Sequence, residues 1–137
     1  MKKTIFLFLS VFAIFALFRT TEAISQNKPV LYFCEKYDAD RGEIGQSSTF
    51  TTGFLTVMVK DDKPLGLTAV TIQFDKYDIY TETFTFYKKF NYTVTPDMKY
   101  IFFAGKDLSF DEAGVFRVYL LDEKGKTVTA AVVIIKS

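Results

Sequence analysis

The sequence predicts an all-β fold, an antiparallel β-sandwich of about seven strands. Three observations point there. Apolar and polar residues alternate with period two through most of the chain beyond residue 29. Gly, Pro, Asp and Asn break these runs at short intervals. Phe, Tyr, Thr and Val are abundant, residues that suit a pleated, half-buried surface, and no stretch beyond the leader has the 3.6 period of an amphipathic helix. A closed barrel is the competing arrangement.

The first strand is VLYFCEKY, residues 30–37, with Cys34 on the face of Val30 and Tyr32. The polar stretch DADRGEIGQSSTFTTG, 38–53, follows as a surface loop, because a buried loop would strand its backbone polar groups. FLTVMVK (54–60) ends at Asp61-Asp62-Lys63-Pro64. TAVTIQFDKY (68–77) sets Val70, Ile72 and Phe74 against Thr71, Gln73 and Asp75, the alternation of a half-buried strand. YTETFTFYKKFNYTV (80–94) places Phe84, Phe86, Phe90, Tyr92 and Val94 on one side, as core. Lys88 falls on that apolar side, so a bulge, turn or strand end is expected there. YIFFA (100–104), GVFRVYLLD (114–122) and TVTAAVVIIK (127–136) complete the set. Gly125 suits the left-handed position of the last hairpin.

The last strand breaks the alternation. Val132 and Ile134 fall on one face, Val133 and Ile135 on the other. Such a strand is either central and covered, or an edge open to strand addition through Val133 and Ile135. Selection against flat apolar edges favours the first.

The opening MKKTIFLFLSVFAIFALFRTTEA has the layout of a secretory leader. Lys2 and Lys3 precede the apolar run Ile5–Phe18, and Thr21 and Ala23 are the small residues at a cleavage site. The run is shorter than a spanning helix needs, so an uncleaved anchor is the alternative. Twin lysines and a phenylalanine-rich core resemble bacterial leaders. The expected location is therefore periplasm, cell surface or medium, for one domain spanning residues 24–137. The leader removes Lys2, Lys3, Arg19 and Glu22 from 17 basic and 16 acidic residues, so the mature chain is almost neutral. That gives no basic field for nucleic acid or anionic lipid.

Histidine is absent, and with it the commonest general base and most zinc or copper sites. Cys34 is the only cysteine and can form no internal disulfide. No enzyme activity and no cofactor are expected. One metal candidate is calcium at Asp38, Asp40 and Glu43, although three carboxylates fall short of the six or more oxygens calcium takes. Asp111 and Glu112 read as a turn. Tyr77, Tyr80 and Tyr87 are candidates for contacting glycan rings or a protein, because phenol hydroxyls seek water or a partner.

The segment FDEAGVFRVYLLDEKGKTVTAAVVIIK, 110–136, resembles the end of bacterial immunoglobulin-like and fibronectin-III-like modules through Asp111, Gly114, Phe116, Asp122 and Gly125. Phe116 replaces the tyrosine of that pattern, and the core tryptophan and disulfide of immunoglobulin domains are missing. The resemblance implies a sandwich and no particular function. The expected function is protein binding at the cell envelope as an accessory or adaptor. The alternatives are a structural subunit assembling through the last strand, possible as a homo-oligomer, and a glycan-binding module.

Overall fold

The computed structural model describes residues 28–137; the expected leader and its cleavage site lie outside the described residues. A three-stranded sheet holds β1 (Val30–Cys34), β6 (Thr56–Lys60) and β9 (Tyr100–Phe103), in the order β1-β6-β9. A five-stranded sheet has the order β4-β12-β11-β7-β8. Its members are β4 (Thr49–Thr51), β7 (Ala69–Asp78), β8 (Thr83–Thr93), β11 (Gly114–Leu121) and β12 (Thr127–Lys136). Two small pairs join β2 (Lys36–Asp38) to β3 (Gly42–Ile44), and β5 (Gly53–Phe54) to β10 (Ser109–Phe110). No helix among the described residues is long and apolar enough to cross a membrane.

The sandwich follows from the alternation. Val70, Ile72 and Phe74 of β7, Phe116, Val118 and Leu120 of β11, and Val133 and Ile135 of β12 point one way into the core. Leu31 and Phe33 of β1, Val57 and Val59 of β6, and Ile101 and Phe103 of β9 meet them from the other sheet. Val133 is 0% and Ile135 3% exposed, so both lie inside the core and offer no surface to a partner. The apolar residues on the outer side of β12 are Val132 and Ile134, each about two-fifths exposed.

The last hairpin turns where expected. Gly125 has φ 80°, and Asp122 Oδ1 accepts hydrogen bonds from the amides of Lys124 and Lys126, each at 2.9 Å. Its left-handed backbone needs glycine because a side chain there costs strain.

The bulge near Lys88 is also present. Phe74 pairs with Lys88 and Asp75 with Phe86, which leaves Tyr87 as the extra residue. One additional residue reverses the facing of everything before it. Phe90 and Tyr92 therefore pack against the core, whereas Phe84 and Phe86 face outward. The single-sided phenylalanine set expected over 84–94 is split by that bulge. Lys88 points inward, its ammonium 5.1 Å from the ring centroids of Phe74 and Phe110 and 5.7 Å from those of Tyr87 and Phe90. It donates a hydrogen bond to the carbonyl oxygen of Ser109.

The stretch 38–53 is not a plain loop. It folds into β3, β4 and β5. β4 runs parallel to the end of β12, pairing Thr49 with Ile134 and Thr51 with Lys136. The β2–β3 hairpin covers the outer face of the three-stranded sheet, so Met58, Thr56 and Cys34 are buried on the side away from the main core.

Candidate functional site

Two surfaces hold some of the residues that the sequence singled out, among them Glu43, Asp38 and Tyr77. The first lies under the β2–β3 hairpin. Tyr32 of β1 and Tyr100 of β9 both donate hydrogen bonds to Glu43 Oε1. Tyr37 stacks on Phe102 with ring centroids 4.5 Å apart and meets Tyr100 edge-on at 5.9 Å. Asp38 Oδ1 instead closes the turn, accepting from the amides of Asp40 at 2.8 Å and Arg41 at 3.1 Å. Those two bonds hold the Asp38 carboxyl below the usual carboxylate range.

The three acids of the calcium candidate thus serve different ends. Among the described residues no group of acids, cysteine and histidine converges as a metal site. Glu43 braces the hairpin, and Asp38 shapes its turn. Cys34 is fully buried beside them, its thiol pushed up chiefly by burial and then by the charge of Glu43. A buried, protonated thiol is neither a ready nucleophile nor open to a bridge between chains.

This cluster sets an alkaline limit on the fold. Burial, followed by the Glu43 hydrogen bond, raises the Tyr32 phenol and pushes Tyr100 up to about 12. Both phenols start from 10.0 in the unfolded chain. Above that pH the unfolded state loses protons that the native state keeps, so the stability they confer is present below pH 10 and lost as pH rises toward 12. Tyrosinate absorbance should therefore show a late-titrating group comprising Tyr32, Tyr87, Tyr92 and Tyr100. Tyr100→Phe should remove one member of it. Titration of all the tyrosines together near pH 10 would show that the hairpin does not seat.

The second surface is the outer face of the five-stranded sheet. Register places its side chains in rows across the strands. Ile134 pairs with Val115, and Tyr77 with Phe84; Val115 and Tyr77 also line one cleft of about 540 Å³. The next row runs Val132, Arg117, Asp75, Phe86. A third runs Ala130, Tyr119, Gln73, Lys89. Phe86 is 60% exposed, and Tyr77 and Phe84 are half-buried with centroids 5.2 Å apart.

Only two charges stand in the middle of this face. The Arg117 guanidinium lies over the Phe84 ring, 4.1 Å from its centroid. Asp75 accepts from Gln73 Nε2 at 3.0 Å. Arg117 and Asp75 are cross-strand neighbours but are not ion-paired; the one ion pair among the described residues is Lys76–Glu112, at 3.2 Å. A sheet face usually left to polar residues here carries aliphatic and aromatic ones beside Arg117, Asp75 and Gln73.

The three candidate tyrosines are not brought together. Tyr77 lies on this face, and Tyr80 stands 91% exposed at the β7–β8 turn. Tyr87 is the bulge residue, packed against Phe116 with centroids 5.2 Å apart. Reading the sequence for single tyrosines missed the row partners Phe86, Val132, Ile134, Arg117 and Asp75. Their signal was the apolar residue on the polar side of each strand, visible in β12 and hidden in β8 by the bulge.

No protein-family model matches the chain, and no curated protein matches it by sequence. Similarity appears among solved structures. The soluble domain of PmoD from Methylocystis sp. ATCC 49242 (Rockwell) superposes with a TM-score of 0.50 at 11% identity, covering 82% of this chain and 94% of that one. An immunoglobulin-like protein from Pseudomonas aeruginosa gives 0.46 at 12% identity, covering 82% and 99%. A superoxide reductase (neelaredoxin) from Ignicoccus hospitalis gives 0.42 at 9% identity, covering 86% and 87%. The likeness is one of fold alone: the chain is a β-sandwich, with no specific family attached.

Proposed function

We propose that this chain is an exported β-sandwich module that works by binding another protein through the outer face of its five-stranded sheet. The observation that carries this is the apolar row Ile134, Val115, Tyr77, Phe84 across four strands, half-buried at its centre, with Phe86, Val132 and Ile134 on the two outer strands at 60%, 40% and 41% exposure. The leader pattern at Met1–Ala23 supports a location in the periplasm, at the cell surface or in the medium. The lack of histidine and the buried, protonated Cys34 support a non-catalytic role.

A second reading has its own observation. From Thr127 to Val133, β12 pairs only with β11 among the described residues, and no charge, proline or lysine guards that edge. At the opposite edge of the same sheet, β8 is blunted by its bulge and the inward Lys88. Strand addition would therefore use the backbone of Val128, Ala130 and Val132 rather than the side chains of Val133 and Ile135. A glycan-binding role has less support, since Tyr77, Tyr80 and Tyr87 share no surface.

The test is site-specific photo-cross-linking in the native cell. A cross-linker at Phe86 should capture protein, and one at Lys63, on an exposed loop, should not. Capture of nothing from Phe86 would defeat the face-binding reading. Capture from Ala130 alone would transfer the role to the β12 edge.

A further inference from the structure

We propose that the protein seated on this face is a second copy of the chain, packed about a two-fold axis that runs parallel to the strands between β11 and β7. The proposal rests on the reading that the face binds protein, and names the partner.

The argument is one of self-complementarity. The rows through Arg117 and Tyr119 span four strands, in the order β12-β11-β7-β8, with a mid-line between β11 and β7; β4 flanks β12 only from Ile134 onward. A two-fold axis along that mid-line lays each row on its own reverse. Arg117 of one copy then meets Asp75 of the other, and the reverse, because the two residues are cross-strand partners on either side of the mid-line. Val132 meets Phe86, and Ile134 meets Phe84, so apolar groups cover apolar groups. Lys89 falls opposite Ala130, away from any cation.

An axis across the strands at that row would instead stack Arg117 on Arg117 and Asp75 on Asp75. The charges therefore select one geometry from the two available to aligned sheets. Arg117 is also preset for the task, held over Phe84 with no ion-paired carboxylate among the described residues.

The size fits a reversible dimer. Four strands spaced roughly 4.8 Å apart, with three rows about 6.8 Å apart, give a footprint on the order of 400 Å² per copy, in the range of weak, transient interfaces. Association in the micromolar range is expected.

Analytical ultracentrifugation of the protein, purified as the cell processes it, should show a concentration-dependent dimer. Phe86→Glu, at an exposed site, should weaken the dimer by about 100-fold or more while leaving the far-ultraviolet circular dichroism unchanged. The decisive pair is Asp75→Arg and Arg117→Asp. Each alone brings like charges together and should be monomeric. Mixed in equal amounts they should form a 1:1 heterodimer within about tenfold of wild-type affinity. A purely structural role for either residue cannot produce that rescue in trans, and a variant that failed to fold could not take part in it.

Wild-type protein that stays monomeric at about 200 µM, or variants that do not rescue each other, would overturn the proposal. If the Phe86 cross-linker then captures a different protein, the face-binding reading survives without the second copy. If it captures nothing, both fail.

Discussion

Replacing Val133 with aspartate should leave the chain unfolded at 25 °C, at any protein concentration. Val133 is completely buried where β12 packs into the sandwich, opposite Phe116 of β11. A carboxylate there would sit among apolar core side chains, and removing a charge from water costs several kcal/mol. The lost apolar contacts add to that cost. A domain of this size has only about 5–15 kcal/mol of stability in all. Circular dichroism and urea denaturation are the measurements. A cooperative melt close to wild type, accompanied by loss of an oligomer, would mean that Val133 is a surface residue and that the placement of β12 is wrong. The same substitution at Val132, which faces outward, should leave the fold intact.

Phe110→Ala should be the most damaging of the aromatic truncations, at about 3–5 kcal/mol. The Phe110 ring lies 5.4 Å from Phe74 and 4.7 Å from Phe116, centroid to centroid, and is 1% exposed. It is also the anchor of β10, a strand of two residues whose only pairing is to β5. Its loss opens a cavity and removes one of the rings around the Lys88 ammonium. Lys88→Met, by contrast, keeps the apolar stem and should change stability by no more than about 1 kcal/mol.

Lys88 also leaves a trace in the pH dependence. Burial lowers its folded pKa below the ordinary 10.5. Between that lowered value and 10.5 the unfolded state binds more protons, so stability rises with pH across the window. Lys88→Met should flatten that rise. A Phe110→Ala penalty below about 1 kcal/mol would show that β10 does not close the core.

What the sequence determined by itself is local. Period-two alternation marked β7 and β11 nearly to their ends, because a strand with one buried face must write that face into every second residue, and the turn signals around them bounded the apolar runs of β9 and β12. Gly125 marked its turn through the φ that only glycine adopts cheaply. Lys88, a charge on an apolar side, marked the place of the bulge, although its own side chain stays on the inner face and Tyr87 is the extra residue.

Only the tertiary structure decided the rest. Alternation separates two sets of side chains without saying which set faces the core, so Phe84 and Phe86 could be placed outward only once the bulge had a partner strand to be measured against. The acids of 38–43 read as loop because nothing local shows that Glu43 receives two phenols from strands 11 and 57 residues distant in sequence. Val133 and Ile135 read as a possible edge because burial of both faces depends on neighbours, and the parallel pairing of β4 with β12 leaves no local pattern. The outer face itself is a product of register. Ile134, Val115, Tyr77 and Phe84 come from four separate strands, and no window of sequence holds them together; hydrogen-bonded pairing across the sheet does.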